Sequence, residues 1–151
     1  MAWPFNNGTM NNPETRILAY YTATLPSITI QTPPEETVRS PADATIETVE
    51  LQPNGLYAVS LSVANSDLVI KLSQIAALEA AVGQLLEGNL FIADVLYAIS
   101  EDSLIGTLGP PPTNILELSV AQHPQDPANL QRKEMVDPLP LLPALYAQGV
   151  S

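Results

Sequence analysis

The sequence predicts an α+β chain: a small antiparallel β-sheet or sandwich packed with one long central helix, carried between extended proline-rich arms. Three observations predict it. Fifteen prolines lie in 151 residues, yet none falls between Pro53 and Pro110. Inside that proline-free stretch apolar residues recur at alternating steps of three and four, the period of helices that wind around one another. On either side, shorter runs alternate apolar with polar residues, the period of a half-buried strand.

The helix organises the rest. Leu68, Ile75, Val82, Asn89 and Leu96 share one seam position, and Lys71, Leu78, Leu85, Ile92 and Ile99 share the other. Ser66 and Asp67 stand ahead of it as N-caps. Gly83 and Gly88 each cost about 1 kcal/mol in a helix interior. The reading is therefore a helix from Asp67 to Glu87, a break at Gly88-Asn89, and a second helix or buried strand over Leu90 to Ile99. Asn89 either sets register on a core position or caps the segment that starts at Leu90. The stripe is wider than one chain of this size needs to cover. Leu68, Ile75, Leu78, Val82 and Leu85 are accordingly the expected self-association residues, with a homo-trimer as the product and a dimer as its rival.

The strands follow from alternation and turn chemistry. Arg16 to Gln31 is β-like, interrupted at Pro26 and closed by Pro33-Pro34. Thr45 to Leu51, the turn Gln52-Pro53-Asn54-Gly55, and Leu56 to Val63 form a hairpin. Ser103 to Leu108 and Ile115 to Val120 supply two more strands around a stiff Pro110-Pro111-Pro112. A compact domain over 16–121 thus lies between an N-terminal arm (1–15) and an extended C-terminal arm (122–151). Trp3 and Phe5 are isolated aromatics in the first arm. Leu139, Leu141, Leu142, Leu145 and Tyr146 are interleaved with prolines in the second. Proline bars helix and central strand, so such segments gain stability only by lying in a groove. These seven residues are the expected docking contacts to a partner.

Composition excludes several functions. Sixteen acidic against five basic residues give a net charge of −11, and the five bases form no cluster, so direct nucleic-acid binding is not expected. Without cysteine there is neither a disulfide nor a thiolate metal site. No signal sequence is read at the N-terminus, and no apolar run is long enough for a bilayer. His123, the single histidine, precedes a proline, and no Gly-x-Ser-x-Gly elbow accompanies it. Glu35-Glu36 and Glu101-Asp102 are adjacent carboxylates without the spacing of a calcium loop. Gly106-x-x-Gly109 runs into prolines rather than a helix, so it is no phosphate loop. The expectation is a non-enzymatic chain with no cofactor and no metal.

A soluble β-plus-helix heart, a self-associating stripe and long arms together resemble the accessory structural proteins of tailed-phage virions. The resemblance is one of style over the whole chain and transfers no residue. It implies an oligomeric cement or decoration protein that binds and stabilises a capsid shell, made in the host cytoplasm and located in the virion. Its partners would be its own copies and other virion proteins such as the major capsid protein. The alternative is a head or tail fibre base, or a receptor- or glycan-binding module of a virion.

Overall fold

The computed structural model describes residues 1–6, 8–83, 97–122 and 134–143. Among them the strands are β1 (Arg16–Ala19), β2 (Ile28–Gln31), β3 (Thr37–Arg39), β4 (Ala44–Leu51), β5 (Tyr57–Val63) and β6 (Leu68–Ile75). They continue with β7 (Ala77–Leu78), β8 (Tyr97–Ile99), β9 (Leu104–Thr107), β10 (Ile115–Gln122) and β11 (Glu134–Val136). An eight-stranded sheet runs β1-β2-β10-β6-β5-β4-β8, with β11 also on β10, and a three-stranded sheet runs β3-β9-β7. All these pairings are antiparallel.

The hairpin forms where turn chemistry placed it. Thr45 to Leu51 lies within β4, and the Gln52 to Leu56 turn closes with Gly55 N–H donating to Gln52 O at 2.9 Å and Gln52 N–H to Leu56 O at 2.8 Å. Gly55 takes φ 85°, a conformation glycine adopts without steric cost. β10 is the centre of the large sheet. Glu117 to Gln122 pair with β6 on one side, while Ile115 to Leu118 pair with β2 and Val120 to Gln122 with β11 on the other. Leu116, Leu118 and Val120 on this strand are completely buried, as are Ile28, Ile30, Ile70 and Leu72 on its neighbours. Val38 and Ile105 of the small sheet join the same core.

The long central helix does not form. Its first eight residues are β6, the next two-residue strand is β7, and helical backbone is described only from Ala80 to Gly83. The physical reason lies at Gln74. Leu68, Ile70 and Leu72 pair with Gln122, Val120 and Leu118 at strand period. A bulge then places two residues, Ser73 and Gln74, opposite Ala58, between the pairs Val59↔Leu72 and Tyr57↔Ile75. Gln74 sits at φ 71°, and the extra residue returns Ile75 to the core. The step of three from Leu72 to Ile75 is thus a strand irregularity that imitates a helical turn. The fold is predominantly antiparallel β rather than a sheet packed on a long helix.

Candidate functional site

The expected self-association residues are scattered by this change of element. Ile75 and Val82 are 0% and 1% exposed in the chain's own core. Leu68, on β6, and Leu78, on β7, are half-buried and pack against that core. Leu85 lies outside the described residues, as do Asn89 and His123. No helical seam joins the described ones, Leu68, Ile75, Leu78 and Val82.

The arms fold back onto the domain. Phe5 is 3% exposed and Met10 6%, both within the core, and Leu142 of the tail joins them. The N-terminal arm runs antiparallel to the end of β3 and the residues that follow it: Ala2 N–H donates to Pro41 O at 2.8 Å and Arg39 N–H to Pro4 O at 2.9 Å. A 3-10 turn over Thr9–Asn11 follows Gly8, and the Thr9 hydroxyl donates to the Glu36 carboxylate. In the tail, a second 3-10 turn spans Leu139–Leu141. Trp3 Nε1 donates to Pro143 O at 3.0 Å, so the two arms meet. Leu139 and Leu141 are half-buried; Leu145 and Tyr146 lie outside the described residues.

Where the arms meet, they form a cleft of about 510 Å³ with the turn between β8 and β9. Trp3, Phe5 and Met10 contribute its apolar lining, and Asn6, Asn11, Glu101 and Asp102 its polar lining. The turn is held by its backbone. Glu101 N–H donates to Asp43 Oδ1 at 2.8 Å, Asp102 N–H to Ser40 O at 2.8 Å and Ser103 N–H to Ser100 O at 3.1 Å. Asp102 adopts φ 73°, which an Asp tolerates better than most residues. Arg39 Nη1 donates to the Asp102 carbonyl at 3.0 Å. Glu101 and Asp102 are both exposed, and neither carboxylate has an ion-pair partner among the described residues, where Lys71–Glu50 at 3.6 Å is the sole pair.

Sequence reasoning had Trp3, Phe5 and the Glu101-Asp102 pair in hand, but separately. What brings them together is a crossing of the first five residues with the end of β3 and the residues that follow it, about 35 positions on, which no local pattern signals. Among the described residues no three His, Cys, Asp or Glu side chains gather as a metal site, and no helix is long and apolar enough to cross a membrane.

No protein-family model matches the sequence, and no curated protein matches it. Solved structures do share the fold. Csd3 of Helicobacter pylori, in its orthorhombic crystal, superposes with a TM-score of 0.54 at 12% identity over 89% of this chain and 36% of its own. Its hexagonal crystal gives 0.53 at 13% identity, over 81% and 32%. A point mutant of the catalytic domain of the prophage-encoded M23 protein EnpA, from Enterococcus faecalis, gives 0.55 at 12% identity over 84% of this chain and 91% of that domain. The chain thus spans about a third of Csd3 and nearly all of the EnpA domain. At this identity the likeness is one of fold. It places the chain on a β scaffold that a catalytic domain also uses.

The capsid-cement expectation, with its fibre-base or receptor-module alternative, is corrected here. It rested on a helical stripe for assembly and on arms docked outward. Over its described residues the stripe is split between two strands and a short helical turn, Phe5 and Leu142 are held in the chain's own core, and the fold matches M23-type and Csd3 domains instead.

Proposed function

We propose that this chain is a non-catalytic binding domain that presents the arm cleft on an M23-peptidase-like β scaffold. One observation carries the reading: the sequence holds a single histidine and no cysteine. Catalytic zinc sites are built from three histidines, two histidines with a glutamate, or two cysteines with a histidine. Each set needs at least two residues of the kinds that are here reduced to one. A Ser-His-Asp triad would call on the same histidine, and the strand-turn-helix serine elbow is missing from the sequence. The likeness to a catalytic domain supports a scaffold that holds a ligand; the residue composition supports a scaffold without the hydrolytic centre.

The test is to incubate the purified chain with excess zinc and a mixed peptide library and to follow masses over time. The expected result is an unchanged library. Zinc-dependent cleavage that His123→Ala abolishes would overturn the reading.

A further inference from the structure

Resting on that reading, we propose that the arm cleft takes a lysine or arginine side chain from an extended segment of a partner protein. The cleft pairs an indole ring with two carboxylates. A cation over an aromatic face is attracted by the ring quadrupole, with Trp the strongest acceptor, and carboxylates beside it supply the charge-assisted hydrogen bonds such a head group requires. Trp3 is half-buried with its Nε1–H already committed to Pro143 O, so its remaining offer to a ligand is the ring itself. Glu101 and Asp102 carry two exposed negative charges that no described ion pair neutralises. Their turn is fixed by its main-chain groups, through the Asp43 carboxylate, the Ser40 carbonyl and the Arg39 guanidinium, so among the described residues the two carboxylates are not what holds it. Asn6 and Asn11 on the same cleft add amides suited to a peptide main chain. The occupant is basic because the chain itself is not: at a net charge of −11 it attracts cationic segments and repels acidic ones at long range.

Trp3 is the chain's single tryptophan, so its fluorescence reports on the cleft directly. Three probes are titrated at low and at physiological salt: tri-lysine, tri-lysine acetylated on every side chain, and a neutral trisaccharide of N-acetylglucosamine. The expected result is a saturable change with tri-lysine that weakens with salt and is missing with the acetylated peptide. In the double variant Glu101→Gln/Asp102→Asn the affinity should fall about tenfold, as two part-exposed charge contacts would predict. That variant preserves the fold, since Asn tolerates the positive φ at position 102 and the turn's own hydrogen bonds use the main-chain N–H groups of Glu101, Asp102 and Ser103 and the Asp102 carbonyl, not the two carboxylates. An unchanged affinity in the double variant, or an equal response to the acetylated peptide, would overturn the cationic assignment. A response to the trisaccharide alone would also overturn it while leaving a binding domain in place. Silence towards all three probes overturns the assignment too, and cleavage of the probes, visible by mass, would instead strike at the non-catalytic reading.

Discussion

At the residue scale, close packing of backbone against backbone decides which positions have no freedom. Gly106 of β9 is buried between β3 and β7. A Cβ added there would collide with the Ala77 carbonyl oxygen and come within 2.9 Å of Ile75 Cγ2. The first neighbour is main chain in a paired strand and the second a fully buried side chain, so neither yields cheaply. Gly106→Ala is expected to destabilise by about 1–3 kcal/mol, read as a lower denaturant midpoint at unchanged slope. The Asn54-Gly55 turn is the opposite case, because its requirement is conformational and visible in the sequence. Leu56 N–H donates to Asn54 Oδ1 at 3.0 Å, the kind of local bond that makes Asn a turn residue.

At the element scale the bulge at Gln74 carries most of what sequence reasoning missed. Leu56 to Val63 and Ile115 to Val120 were legible because each keeps a period of two, and Arg16 to Gln31, Thr45 to Leu51 and Ser103 to Leu108 because each is a short β-like run ending at a turn signal. β6 keeps that period only from Leu68 to Leu72, and after Gln74 the apolar positions jump by three. Leu78 and Val82 then continue at steps of three and four across a strand and a helical turn, so three different elements read as one helix. The cleft was illegible for a related reason: its aromatics and carboxylates are contributed by the arm and by a turn nearly a hundred residues later. The bulge makes its own prediction. Its positive φ disfavours a β-branched residue by about 1–2 kcal/mol, so Gln74→Val should lower stability by that amount. Gln74→Gly should be close to neutral, since relief of backbone strain offsets loss of the exposed 2.9 Å bond to Asn54 Nδ2. Urea titration of the two variants distinguishes them, and equal losses would remove the backbone explanation.

At the scale of the whole molecule, the arms belong to the fold's stability. Phe5→Ala and Leu142→Ala should each cost the isolated chain about 2–4 kcal/mol, the range for truncating a buried large side chain; melting temperatures that stay put would mean the arms are dispensable. Charge acts at the same scale. With −11 net and one half-exposed ion pair among the described residues, self-repulsion opposes compaction. Added salt should therefore raise the melting temperature by a few degrees before saturating, as screening shortens the reach of each charge. The position of β10 has a further consequence, for the order of events during synthesis. It lies between β2 and β6, so the first-made strands, β1 and β2, have only each other in the large sheet until Ile115 to Gln122 have emerged. The consecutive strands β4, β5 and β6 pair as soon as they are made, while β1 and β2 wait with open edges, the state in which nascent chains are most prone to misassociate. A ribosome stalled before Ile115 should thus display a protease-resistant β4-β5-β6 segment and a β1-β2 segment that is readily cut.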